Sequence, residues 1–134
     1  MKGRVLSDGV AEGDAVVLSE PLSLWGGLDP QTGELIDAHH PQRGAQLAGR
    51  VVVMPSSRGS SSSSSVLAEA VRSGSAPAAV MLGEPDLILG VGAAVAAELY
   101  DKQVPVLVLR PEDRGAIHDG MPVRIAAGGQ ITLG

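Results

Sequence analysis

No cysteine occurs in this chain of 134 residues. That absence excludes disulfides and any thiolate metal site built from this chain alone. Aromatic residues are almost missing as well: Trp25 and Tyr100 stand alone, and there is no phenylalanine. A core must therefore come from Val, Leu, Ile, Ala and Met. With so few aromatic platforms for bases, no basic cluster and a formal net charge of −5, nucleic acid is not an expected partner. Long apolar runs are missing too. The longest weakly polar stretch, Leu87 to Ala97, is too short and too rich in Gly and Ala to span a bilayer. Met1-Lys2-Gly3-Arg4 leads into a strand pattern and not into the apolar core of a signal peptide. We therefore expect a cytoplasmic protein with no membrane partner.

What the chain does contain is turn chemistry and short apolar segments. Apolar residues make up 44%, with 18 Gly and 9 Pro, a balance suited to many short strands. The length fits one compact domain over residues 1–134. Strands are expected at residues 2–6, 15–18, 34–36, 50–54, 78–82, 86–89 and 105–109. A terminal hairpin is expected from residues 122–126 and 130–133 around Gly128-Gly129. Asp8-Gly9 and Glu12-Gly13-Asp14 read as turns. Helices are expected over residues 64–73, closed by Gly74, and 93–100. The count is about eight strands, with 86–89 as a further short one, and two helices. Two strand–helix–strand passages in the middle predict parallel pairing, and the two ends predict hairpins. The fold class is mixed α/β and β-rich.

One segment has the composition of a site. Arg50-Val51-Val52-Val53-Met54 reads as a buried strand, and Val66-Leu67-Ala68-Glu69-Ala70-Val71 as an amphipathic helix. Between them lies Pro55-Ser56-Ser57-Arg58-Gly59-Ser60, running on in serines to Ser65. A helix start offers unpaired N–H groups and a positive dipole end to an anion. An arginine adds a planar fork for a carboxylate or phosphate. Hydroxyls add hydrogen-bonding or proton-transfer groups. A serine run is otherwise a flexible linker, but this one is short and hemmed in by a strand and a helix.

With two further stretches this segment makes up three signatures. They are Pro21-Leu22-Ser23-Leu24-Trp25-Gly26-Gly27-Leu28-Asp29-Pro30-Gln31-Thr32-Gly33, Ile36-Asp37-Ala38-His39-His40-Pro41, and Gly49-Arg50-Val51-Val52-Val53-Met54-Pro55 followed by Arg58-Gly59-Ser60. Their order and spacing resemble the swivel domain, or small subunit, of the aconitase X family over nearly the whole length. The resemblance implies a swivelling β/β/α fold and a larger, cysteine-bearing subunit that carries iron or an iron–sulfur cluster. The present chain alone is expected to bind no cofactor. Family members are hydro-lyases that remove water from small hydroxy acids. Two activities are implied, cis-3-hydroxy-L-proline dehydration and phosphomevalonate dehydration, with a lean toward the first.

In such enzymes a serine alkoxide beside an arginine takes the proton. Ser60 holds the matching position and is the expected catalytic base. Arg58, Gly59, Ser61 and Ser64 are the expected substrate-binding residues. Where the family shows varied small residues after this serine, Ser61 to Ser65 are all serine, so Ser62, Ser63 and Ser65 depart from the pattern. Without the resemblance, Ser60 also reads as a helix cap.

The remaining polar residues read more plainly. His39-His40 and His118 are expected in solvated loops, and Asp29 and Asp37 are expected to set turns. The Trp25-Gly26-Gly27-Leu28 loop is a candidate contact with the larger subunit. Two other classes of function remain open from the sequence: a stand-alone, non-catalytic module that binds an anionic metabolite, and a structural domain with a flexible serine loop.

Overall fold

The computed structural model describes residues 1–57 and 61–134, with Ser61 described by its backbone alone. The elements in chain order are β1 (Arg4–Ser7), β2 (Ala11–Val17), α1 (Leu24–Gly27), β3 (Val51–Met54), α2 (Ser61–Ser73), β4 (Ala79–Leu82), α3 (Leu87–Tyr100), β5 (Val106–Val108), α4 (Pro111–Gly115), β6 (Pro122–Ala126) and β7 (Gln130–Leu133). The strands form one sheet in the order β1-β5-β4-β3-β2-β6-β7.

Its centre is parallel. β3 pairs with β4 through Val51–Ala79 and Met54–Leu82, with β2 through Ala15–Val51, and β4 pairs with β5 through Val80–Val106. Each crossover from β3 to β4 and from β4 to β5 carries a helix, as parallel neighbours require. Both faces of these strands are covered, so they are apolar without alternation. Val52, Met54, Val80 and Leu82 join a core under α2, α3 and the 18–47 segment. Val51, Val53, Ala79 and Met81 point the other way, into a core shared with Val123, Ile125 and Ile131 of β6 and β7. For strands of one sheet to pack on each other's faces, the sheet must curl. It does, until the N-terminus meets β7 at the Lys2–Gln130 bridge and the Gly3 N–H donates to Gly129 O at 2.9 Å.

The expected parallel centre and the C-terminal hairpin are present. Several local expectations are corrected. Glu12-Gly13-Asp14 is not a turn but the first half of β2, paired antiparallel with β6. Gly13 is there for space: a Cβ on it would sit 2.5 Å from Gly49 O. Residues 86–89 are not a strand. Leu87-Ile88-Leu89 opens α3, because Asp86 caps it; a short apolar run alone does not separate the two states. β1 forms no hairpin with β2 and pairs instead with β5. Residues 34–36 make only isolated bridges. α1 and α4 were not anticipated. α1 is a single turn with Trp25 at φ −70, ψ 116 and Gly26 at φ 78, ψ −10, the type II pattern that calls for glycine at its third position.

Candidate functional site

The serine segment leaves β3 at the end of the sheet where β2, β4 and β5 also finish, the edge at which open α/β sheets place their ligands. Arg58, Gly59 and Ser60 lie outside the described residues. Their two anchors are described. Upstream, Ser57 bridges to Leu22 in parallel, and its hydroxyl donates to Asp86 Oδ2. The other oxygen of that carboxylate accepts from Leu89 N–H at 3.1 Å, capping α3. One aspartate thus ties the mouth of the loop to the start of the neighbouring helix. Downstream, α2 begins at Ser61 and runs 13 residues, so the positive end of its dipole lies at that anchor.

The serines that follow do not share one environment. Ser64 is half-buried on the side of α2 that meets α3. A Cβ on Gly92 would lie 2.6 Å from Ser64 Cβ and 2.9 Å from its Cα. The two helices approach this closely only because residue 92 has no side chain. Ser63 is buried at 4% exposure. Its hydroxyl accepts from Trp25 N–H at 3.4 Å and lies 3.4 Å from Ser23 Oγ. The first turn of α2 is therefore held between the Trp25 turn on one side and α3 on the other. Sequence reading set Ser63 aside as a departure from the family pattern; its burial shows a supporting role. Farther along, Ser75 donates to Pro30 O at 2.6 Å, and Gln31 Nε2 donates to Glu69 Oε1 at 3.1 Å, so the 22–31 segment follows α2 closely. Hydrogen bonds from Arg72 first, and from Gln31 second, hold the Glu69 carboxyl down at about 2.

Arg114 was not singled out by sequence. It comes from α4, whose signal was Pro111 followed by Glu112 and Asp113 at a helix start. Its guanidinium lies over Gly83, where a Cβ would come within 1.8 Å of Nη1 and 2.5 Å of Pro55 O. A shallow recess of about 280 Å³ runs below Pro55, between Met54, Pro111 and Arg114. Arg114 thus sets a cation beside Pro55, just past the end of β3.

The other candidates resolve as structure. Asp29 Oδ1 accepts from Gln31 N–H and Asp37 Oδ1 from His39 N–H, both at 2.9 Å, so each aspartate sets a turn as expected. His40 is not solvated. It is 6% exposed; Nδ1 accepts from Gln42 N–H at 3.0 Å, which places the proton on Nε2, 3.1 Å from Glu20 O. His118 is exposed. Of the Trp25–Leu28 loop, Trp25 is 60% exposed while Leu28 is buried at 2%, so the pair is not a joint surface anchor. Among the described residues no three His, Asp or Glu converge on a metal-sized space. With no cysteine in the chain, its own residues do not fit an iron–sulfur cluster. No described helix is long and apolar enough to cross a membrane.

A curled sheet with a parallel centre, whose strand β3 is joined to helix α2 at the carboxyl ends of the strands, defines a β/β/α domain. The chain belongs to the aconitase X swivel domain family, whose model matches residues 1–133. It is 47% identical over 106 residues to the cis-3-hydroxy-L-proline dehydratase of Pseudomonas aeruginosa, a match covering 79% of this chain and 18% of that protein. The present chain therefore spans less than a fifth of that relative's length. It is 35% identical to the phosphomevalonate dehydratase small subunit of Thermococcus kodakarensis, covering 99% of this chain and 95% of that one. The crystal structure of aconitase X from Thermococcus kodakaraensis in its holo form superposes with a TM-score of 0.85 at 34% identity, over 98% of this chain and 95% of that one.

Proposed function

We propose that this chain is the small subunit of an aconitase X dehydratase acting on cis-3-hydroxy-L-proline in the cytoplasm. It works with a larger, cysteine-bearing subunit that holds the iron or iron–sulfur group. The observation that carries the substrate is the 47% identity to the Pseudomonas aeruginosa enzyme, above that to the small subunit from Thermococcus kodakarensis.

Loss of water from a 3-hydroxy acid requires a base to take the proton from the carbon beside the carboxylate. Ser60 is that base. A serine hydroxyl titrates far above neutrality, so it serves only where its alkoxide is stabilised in place. The positive dipole end of α2 and the Arg58 guanidinium supply that stabilisation. Gly59 lets the backbone approach the substrate, and Arg58 with Ser61 and Ser64 holds its polar groups. The position of α2, opening at Ser61, supports this assignment.

A second reading is favoured by the extent of the match to the Thermococcus protein: the small subunit of a phosphomevalonate dehydratase. A third, a non-catalytic anion-binding module, needs ligand affinity from this chain alone. The test is a dehydratase assay of the co-expressed pair with cis-3-hydroxy-L-proline and with (R)-5-phosphomevalonate. Turnover of the hydroxyproline supports the first reading. Turnover of the phosphate ester alone replaces it with the second, and no turnover of either, with ligand affinity in the isolated chain, leaves the third.

A further inference from the structure

The described surface carries one large apolar face that the fold does not use. α3 buries Leu89, Gly90, Gly92, Ala93 and Ala96 against α2 and β1. Its opposite side is apolar too. Leu87 is 66% exposed, Val91 62%, Val95 48% and Leu99 65%, with Ile88 beside them at 44%. These positions recur at helical spacing, so they form one stripe along the helix. Glu98 is the only charged residue within α3. A helix that is apolar all round belongs inside something larger.

The position of the stripe says what covers it. Its first turn starts at Asp86, whose carboxylate holds Ser57 at the mouth of the serine loop. Its second turn touches Ser64 through Gly92. The exposed Trp25 flanks the same first turn of α2 on the other side, through Ser63. The first turn of α2 thus lies between the exposed Trp25 on one flank and α3, with its exposed Leu87, Ile88 and Val91, on the other. A second copy of this chain is a poorer fit. A 14-residue helix is about 20 Å long, so one face of it needs added contact to reach the roughly 800 Å² per partner of a stable interface, and a body that also meets Trp25 and the start of α2 supplies that contact.

We propose that the exposed stripe of α3, from Leu87 to Leu99, is a docking surface for the larger dehydratase subunit, continuous with the serine loop that the subunit must reach. This rests on the reading under Proposed function. The partner surface is apolar and uncharged where it meets Val91 and Val95.

The test uses the co-expressed complex of this chain with the cysteine-bearing large subunit of the same organism. Affinity is measured by titration of the purified subunits, and mass by light scattering. Val91→Asp with Val95→Asp is expected to weaken the complex by roughly 30-fold or more, whereas Val91→Leu with Val95→Leu keeps it. Both side chains are exposed, so the acidic pair should keep the wild-type circular dichroism; Val91→Gln with Val95→Gln, expected to weaken binding in the same direction, covers the case in which it does not. Acidic and glutamine variants that bind as tightly as wild type overturn the docking surface while leaving the dehydratase reading intact. A wild-type chain that shows no affinity for the large subunit overturns both. A dimer of this chain alone, broken by the acidic pair, assigns the stripe to a second copy and overturns the proposal.

Discussion

Gly92→Ala tests whether the approach of α2 to α3 sets the serine turn. Taken by itself, α3 should gain from the change, because alanine in a helix interior is favoured over glycine by about 1 kcal/mol. The packing says the opposite. The new methyl would stand 2.6 Å from Ser64 Cβ and 2.9 Å from Ser64 Cα. Neither atom can swing away on a rotamer, since both are fixed by the backbone of α2. Relief requires the helices to part, and overpacking of this kind costs typically about 1–3 kcal/mol. Because the obstacle is backbone, the upper part of that range applies, and the net loss should be about 1–2 kcal/mol. For a domain of this size that lowers Tm by roughly 3–8 °C. The shift falls on the first turn of α2, so activity of the assembled enzyme should drop further than stability alone explains. Gly115→Ala is the control: nothing lies within 4 Å of its Cβ position, and it should leave both properties nearly unchanged or slightly improved. The assay is thermal unfolding by circular dichroism, with kcat of the co-expressed pair. A Gly92→Ala chain that melts at or above wild type with full activity refutes the reasoning.

Ser60→Ala should leave assembly intact and cut kcat by roughly 10²-fold or more, the scale of a lost proton-transfer group, while Ser62→Ala does much less; equal activities at saturating substrate would move the base elsewhere. Asp86→Ala removes the cap of α3 and the partner of Ser57 together. It should cost about 1–2 kcal/mol in urea unfolding, and an unchanged midpoint would count against the anchor. Glu69 is lowered from 4.5 to about 2 by Arg72 and Gln31, so its contribution is present above the unfolded value and is lost as pH falls from about 4.5 toward 2. The Tm difference between wild type and Glu69→Gln should shrink across that window. It should be small throughout, since the pair is at the surface, and a difference that grows toward acid would reverse the sign of the argument.

The sequence by itself determined the elements whose partners lie close in the chain or whose pattern admits one solution. Val51 to Met54 is apolar at every position because both faces are covered, and it could be read as a buried strand. The hairpin around Gly128-Gly129 is local, and so is the helix ending before Gly74, although it opens at Ser61 and not at Ser64 as expected. The family was legible in the motifs from Pro21 to Ser60, and with it the expected roles of Arg58 and Ser60. What only the tertiary structure decided depends on contacts between distant residues. Leu87-Ile88-Leu89 is the local exception: it opens a helix capped by Asp86 three residues away, and was misread because a short apolar run fits both states. Glu12-Gly13-Asp14 became strand because β6, more than a hundred residues away, pairs with it. His40 is buried through Glu20, and Ser63 through Trp25. One serine in a uniform run looks like the next, since composition carries no direction. The helix gives each a different face, and the neighbour met on that face separates Ser63 under Trp25 from Ser64 against Gly92.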